Sequence, residues 1–379
     1  MMSEQQKPVS SASPIYVLCN ANRTVGYGHF FRCLHLAREL KRLSPGLIVS
    51  WFGNIDETLL SRLPQVHKFV NCHNVDDATQ TLLNQKSAWV LTDSYHITDA
   101  HLDTLSTIHQ LICIDDFANL AFGQADALIN FTVSASDYAY QAKHQFLGPQ
   151  YFINDPSLIK VRQEKLLRAY HCKRVLIAMG GFDRFAIGHK IALALYQHLP
   201  EVDVVLLSRD PNKLDETLRQ YLNKDVNADQ QSIQSRLADN PRFLHVGHTD
   251  NMAELYASCD LVISGGGLIK YESAYCAIPN ISVAQTPEQL RESETFSRLN
   301  LCISFNLAQQ WHNNWHIEDT EDQINDWNQA AFIRKLASMT LLDDKAKRYI
   351  DTLKRASAEQ FATHATCNLA KALLGHINR

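Results

Sequence analysis

The chain has no apolar run long enough to cross a membrane; its longest hydrophobic stretches are only strand-length. It has no excess of basic charge: 36 Lys and Arg stand against 40 Asp and Glu, for a net charge of -4. No positive field is therefore offered to nucleic acid, which is excluded as an expected partner. None of the 9 cysteines forms a C-x-x-C pair, and their odd count and wide spacing exclude a disulfide framework. Reduced, buried thiols are the simplest reading. The opening MMSEQQKPVSSASP lacks an apolar signal core, so export is not expected and a cytoplasmic location is.

What is present is an ordinary globular composition, 45% hydrophobic and 20% charged, over 379 residues. That length exceeds one core and predicts two domains. Apolar strand-like runs alternate with helical periodicity almost throughout. Strands are expected at Leu47–Trp51, Trp89–Thr92, Leu111–Ile114 and Ala127–Ile129. After residue 170 they are expected at Val175–Ala178, Val202–Leu207, Phe243–Val246, Leu261–Ile263 and Asn280–Val283. Helices are expected at Asp77–Leu83, Ala186–His198, Met252–Ser258 and Tyr271–Cys276. Such alternation predicts an α/β protein with parallel sheets covered by helices on both faces. Residues 1–13 read as a disordered tail, 14–155 as one domain and 156–172 as a linker. Residues 173–379 read as a second domain carrying the C-terminal helices. The polar stretch 309–326 reads as a surface insertion.

Three glycine turns follow apolar strands. Ile15–Cys19 leads to Gly26-Tyr27-Gly28-His29, with helical spacing from Phe30 onward. Val175–Ala178 leads to Met179-Gly180-Gly181-Phe182-Asp183, and Leu261–Ile263 to Ser264-Gly265-Gly266-Gly267. Glycine lets the backbone approach a ligand, and the following helix turns unpaired N–H groups toward it, an arrangement suited to phosphate. In open α/β sheets ligands bind at the carboxyl ends of strands, so the three turns are expected at one cleft between the domains. His29 adds a titratable imidazole, Arg32 follows one turn on, and Glu272 could accept the hydroxyls of a ribose. Gln285 and Gln289, around the start of a further helix, could meet ligand oxygens.

Other motifs have plainer explanations. His312 and His316 are four apart but lack a third ligand for zinc. Cys72-His73 is equally bland. One carboxylate of Asp115-Asp116 is expected to cap the turn after its strand. Arg38, Lys41 and Arg42 complement a helix C-terminus.

Taken in order, Gly26-Tyr27-Gly28-His29-x-x-Arg32, Asp93-Ser94-Tyr95, Ile114-Asp115-Asp116, Gly148-Pro149-Gln150-Tyr151, Met179-Gly180-Gly181-Phe182-Asp183, Ser264-Gly265-Gly266-Gly267-x-x-x-Tyr271-Glu272 and the Gln289 of Pro287-Glu288-Gln289 resemble a known family. That family is the nucleotide-sugar hydrolases of pseudaminic acid biosynthesis, which cleave UDP-2,4-diacetamido-2,4,6-trideoxy-β-L-altropyranose to free sugar and UDP. The resemblance covers roughly residues 15–300. It implies a GT-B fold, two Rossmann-like domains facing a cleft, shared with metal-independent inverting glycosyltransferases. It implies His29 as catalytic base, Tyr95 in the sugar pocket, and Glu272 with Gly265–Gly267 on UDP. Gly28, Arg32, Gly180, Gly181 and Gln289 join the expected substrate-binding set. No cofactor or metal is implied. The chain departs from the family at Leu18, Asn20 and Glu288, where an arginine, an acid and an asparagine are usual; these positions bear on the sugar. An inverting glycosyltransferase for surface or flagellin glycan, and an inactive UDP-sugar-binding protein, are the alternative readings.

Overall fold

The computed structural model describes residues 13–22, 25–180, 183, 186–220, 242–247, 249, 251–305, 329–340 and 343–377. The expected tail, apart from residue 13, and the 309–326 insertion with its histidines lie outside them, as do Gly181 and Phe182. The chain forms two compact units, residues 1–156 with 364–379, and residues 157–363.

In the first unit seven parallel strands are described: β1 Ile15–Cys19, β2 Val49–Gly53, β3 Lys68–Asn71, β4 Trp89–Asp93, β5 Gln110–Ile114, β6 Ala127–Asn130 and β7 His144–Leu147. Their order is β3-β2-β1-β4-β5-β6-β7. The central strands β1, β2 and β4 are buried along their whole length, which is why they read as continuous apolar runs. Strands β3 and β7 are the sheet's edges, and their sequences KFVN and HQFL stay largely exposed. The helix Gly28–Leu43 covers one face with Phe30, Cys33, Leu34, Ala37 and Leu40, all at most 1% exposed. Opposite, Tyr16, Leu18, Val90, Leu111 and Leu128 pack with Val75, Leu82 and Leu102 of the covering helices.

The second unit repeats the plan with β8 Arg174–Ala178, β9 Asp203–Leu207, β10 Phe243–Val246, β11 Leu261–Ser264, β12 Asn280–Val283 and β13 Ile303–Phe305, in the order β10-β9-β8-β11-β12-β13, all parallel. In both sheets the winding direction reverses beside the first strand, between β1 and β4 and between β8 and β11. That reversal opens a crevice at the carboxyl ends of the strands, where such sheets bind ligands.

Two expected boundaries are corrected. Residues 156–172 contain the helix Leu158–Leu167, which belongs to the second unit. It is held there by buried Arg162, whose Nη1 donates to Ser357 Oγ at 2.7 Å and whose Nη2 donates to the Ser357 and Phe361 carbonyls, each at 3.0 Å. The last helix, Ala365–Ile377, belongs to the first unit rather than the second, packing on the helix Gly28–Leu43. There Thr366 Oγ1 accepts from the Asn154 backbone N–H at 2.9 Å. Periodicity shows which face of a helix is apolar, and both sheets offer an apolar face to cover.

All 9 cysteines are free, and only Cys367 is even partly exposed. Burial pushes the thiols of Cys172, Cys259 and Cys302 up to about 12, which leaves them unreactive. Among the described residues no helix is long and apolar enough to cross a membrane.

Gly53 fixes how β2 leaves the sheet beside β1. A Cβ there would lie 2.0 Å from the Cys19 carbonyl oxygen and 3.0 Å from Asn20 Oδ1. Backbone must shift to admit it. Gly53→Ala is expected to cost about 3 kcal/mol and lower the thermal midpoint by roughly 6–12 °C. Thermal unfolding followed by circular dichroism checks this, and an unchanged midpoint contradicts it.

Candidate active site

Three strand ends of the first unit build a polar cluster. After β1 the chain turns at Gly26, whose φ of +88° suits glycine, and enters its helix at Gly28. A side chain at Gly28 would meet nothing within 4 Å, so this turn stays open. His29 is the second helical residue and Arg32 lies one turn further on the same face. Asp93 is the last residue of β4, across the point of reversal from β1. Asp115 and Asp116 follow β5 directly.

His29 Nδ1 lies 2.6 Å from Asp93 Oδ1. A carboxylate only accepts, so Nδ1 carries a proton and donates it, and in the neutral imidazole Nε2 then holds the lone pair. Among the described residues Nε2 has no hydrogen-bond partner. Arg32 spans both carboxylates. Its Nε donates to Asp93 Oδ2 at 2.8 Å and its Nη2 to Asp93 Oδ1 at 2.7 Å. Its Nη1 donates to Asp116 Oδ1 and Oδ2 at 2.7 and 2.8 Å. The 3.0 Å approach of Nη2 to His29 Nδ1 brings together two donors that share Asp93 Oδ1. The cluster is largely closed to solvent, with side-chain exposures of 5% for His29, 7% for Arg32, 1% for Asp93 and 11% for Asp116.

Burial alone would raise the Asp93 carboxyl, but the Arg32 charge and then His29 outweigh it and hold it below its usual range. Burial likewise opposes the Arg32 charge, and Asp116 and then Asp93 hold it well above the ordinary value. Two carboxylates against one guanidinium leave one formal negative charge beside the His29 ring.

Tyr95 closes the group from outside. It is 53% exposed, yet its hydroxyl donates to Asp116 Oδ2 at 2.7 Å, and burial of that hydroxyl followed by the Asp116 charge raises its pKa. Its ring stands edge-on to the His29 ring at 4.4 Å and lies 5.3 Å from the ring of Phe117. Asp115 takes the capping role expected of one member of the pair: Oδ2 accepts from the Ala118 and Phe117 backbone N–H groups at 2.7 and 3.1 Å.

Arg32 is expected from its place after the glycine turn to meet the ligand. Its guanidinium is instead spent on Asp93 and Asp116, so it orders the cluster from within. The sequence signal for Asp93 and Asp116 is faint: an acid standing where the apolar run of β4 or β5 ends. The departure at Asn20 is structural, since Oδ1 accepts from the Asn54 backbone N–H at 2.8 Å.

In the second unit, Gly180 follows β8 with φ +87° and open space where a side chain would be. The Gly265–Gly267 turn follows β11. Gly265 and Gly266 answer to packing first: a Cβ would lie 2.6 Å from the Met179 carbonyl oxygen at Gly265 and 2.5 Å from Gln289 Cβ at Gly266. Gly267 faces open space and caps the helix Leu268–Tyr275 without any side-chain bond to its first N–H groups. Glu272 is half-buried on that helix and its Oε2 accepts from the Tyr256 hydroxyl at 2.7 Å. Gln289 Oε1 accepts from the Gln285 backbone N–H at 2.9 Å. Glu288 is exposed and pairs with Arg291 at 3.2 Å. Asp183 fills the start of the helix Ile187–His198, accepting from the Ile187 and Gly188 N–H groups at 2.8 and 3.0 Å. His29 and Glu272 belong to different units. Among the described residues no group of three or more His, Cys, Asp or Glu side chains is placed to hold a metal ion.

No family model matches the chain. An uncharacterized protein of Methanocaldococcus jannaschii is 24% identical over 285 residues, which are 73% of this chain and 56% of that protein. The chain thus spans about half the length of that relative. Among solved structures, MurG of Acinetobacter baumannii is similar at a TM-score of 0.60 with 13% identity, over 96% of this chain and 99% of that one. UDP-glucose:anthocyanidin 3-O-glucosyltransferase in complex with UDP is similar at 0.59 with 11% identity, over 97% and 98%. HepE of Anabaena in complex with UDP and glucose is similar at 0.51 with 15% identity, over 96% and 99%. Two Rossmann-like parallel-sheet units in one chain, matched along their length by these glycosyltransferase structures, give this protein the GT-B fold.

Proposed function

We propose that the protein is a metal-independent UDP-sugar hydrolase, and that the sugar is the 2,4-diacetamido-2,4,6-trideoxyhexose of pseudaminic acid biosynthesis, as the motif resemblance implies. The observation that carries the catalytic part is the His29–Asp93 pair at the reversal point of the first sheet, whose Nε2 has no hydrogen-bond partner among the described residues. His29 Nε2 takes a proton from water while the water oxygen bonds to the anomeric carbon. The bond from that carbon to the diphosphate oxygen breaks, and UDP departs with the electron pair. Attack opposite the leaving group inverts the anomeric centre. The imidazolium formed is held by Asp93, and the cluster becomes neutral overall as it forms. In the second unit the helix N-terminus at Gly267 and the open turn at Gly180 suit a diphosphate, and Glu272 suits the ribose. Tyr95 is assigned to the sugar.

A glycosyltransferase would use the same machinery with an acceptor hydroxyl in place of water, and the similarity to glycosyltransferase structures favours it as the second reading. A panel of UDP-sugars incubated with the protein, with and without acceptor and with chelator present, separates the two by phosphorus and carbon NMR of the products. Hydrolysis predicts UDP and free inverted sugar without acceptor. Turnover only with an acceptor selects the transferase, and UDP binding with no turnover of any sugar selects an inactive binder. Glu272→Ala is expected to weaken UDP binding about tenfold, near 1.4 kcal/mol, with little change in kcat. Calorimetry checks it, and an unchanged UDP affinity removes Glu272 from the nucleotide.

A further inference from the structure

Three neighbouring strands of the second unit, β8, β11 and β12, end at Met179-Gly180, at Gly265–Gly267 and just before Gln285. Gln285 is 2% exposed, and among the described residues neither its Nε2 nor its Oε1 has a hydrogen-bond partner. Polar side chains close by are satisfied. Asn280 Nδ2 donates to Ser264 Oγ at 3.0 Å, and the Ser282 and Ser293 hydroxyls pair at 2.8 Å. The Gln285 carboxamide is the exception, and burying an amide without partners opposes folding. Leucine or methionine would fill the position without that cost.

Its direction gives the reason for an amide. Nε2 lies 3.3 Å from the point where a Cβ on Gly265 would stand, so the donor end is pressed against the glycine turn. That turn begins the eight-residue helix Leu268–Tyr275, whose first N–H groups receive no side-chain cap. Gly267 N–H donates to the Gly265 carbonyl and Lys270 N–H to the Gly267 carbonyl, which among the described residues leaves the Leu268 and Ile269 N–H groups and the orphan amide donor around one turn, where an oxyanion satisfies them. We infer that Gln285 is a ligand-reading residue, its Nε2 donating to an oxygen of a diphosphate seated at Gly267 and its Oε1 accepting from a hydroxyl of the same molecule. The inference rests on the nucleotide reading of this unit. It also gives the unpaired amide a purpose: the cost of burying it in the free protein is recovered when the ligand arrives, which sharpens discrimination against molecules lacking the diphosphate.

Gln285→Met and Gln285→Glu test it, with thermal unfolding of the ligand-free protein and calorimetry against UDP, inorganic pyrophosphate and uridine. Gln285→Met is expected to raise the ligand-free thermal midpoint by about 2–6 °C, because two buried unpaired atoms are removed. It should weaken UDP and pyrophosphate about tenfold or more and leave uridine within twofold. Gln285→Glu keeps the shape and replaces the donor with an acceptor, so it should weaken UDP at least as much. UDP affinity within twofold of the wild type in both variants overturns the role of Gln285, as does a lowered midpoint with unaltered binding. A wild-type protein that binds neither UDP nor pyrophosphate overturns the nucleotide reading itself.

Discussion

Arg32→Met lowers the stability of the protein by about 3–5 kcal/mol. The reason is the charge left behind rather than the contacts removed. Asp93 and Asp116 share one guanidinium in a closed environment, through four hydrogen bonds between 2.7 and 2.8 Å. Without it, two carboxylates must share a buried site uncompensated, or one must take up a proton. The pH dependence follows from the depressed Asp93 value. A carboxyl lowered on folding stabilises the native state above its unfolded pKa of about 3.9, and that contribution is lost as pH falls through the folded value. Arg32→Met removes it, so the variant loses most at neutral pH. Urea denaturation at pH 7 and pH 4 checks this; a loss below about 1 kcal/mol at pH 7 means the cluster is not the buried network described. Adding Asp116→Asn to Arg32→Met should restore part of the loss, because one of the stranded charges disappears.

His29→Ala and Asp93→Asn each reduce kcat about 10³–10⁴-fold while UDP affinity stays within about twofold. For His29 the lost group is the proton acceptor. For Asp93 the effect works through the tautomer. An Asn side chain that turns its NH₂ toward His29 makes Nδ1 an acceptor and moves the ring proton to Nε2, where the base needs a lone pair. That NH₂ also meets Arg32 Nη2, which donates to the same Asp93 oxygen at 2.7 Å, so Asp93→Asn is expected to cost stability as well as function. Turnover within tenfold of the wild type in either variant excludes His29 as the base. Unaltered UDP binding matters equally, because it separates lost chemistry from a damaged protein.

Much of this fold is legible in the sequence because buried parallel strands announce themselves. Runs such as WVLT in β4 and VVLL in β9 are apolar on both faces, and each is followed by a helical pattern. The strands that do not announce themselves, β3, β7 and β13, lie at sheet edges, where one side is solvated and the apolar signal is diluted. Assigning the last helix to a unit was beyond reach for another reason. Its apolar stripe fits either sheet, and a contact spanning more than 300 residues of chain, such as Arg42 Nη2 to Cys367 Sγ at 3.6 Å, leaves no local trace.

The site divides in the same way. His29 was legible from the glycines before it. Its partners were hidden, since an acid after an apolar run is a common turn residue, and Asp115 does serve a turn while its neighbour Asp116 serves Arg32. The glycines of the second unit answer to two demands. Gly265 and Gly266 are required by the close approach of Met179 and Gln289, which leaves Gly267 and Gly180 open to a ligand. The orphan amide of Gln285 could be recognised only from the burial of its atoms.

The central claim is that water, activated at His29, attacks the anomeric carbon of a UDP-sugar. Turnover in ¹⁸O-enriched water, with mass spectrometry of both products, tests it most directly. The account predicts one labelled oxygen on the anomeric carbon of the released sugar and none in UDP. Label in the β-phosphate of UDP would place the attack on phosphorus and contradict it, as would unlabelled free sugar.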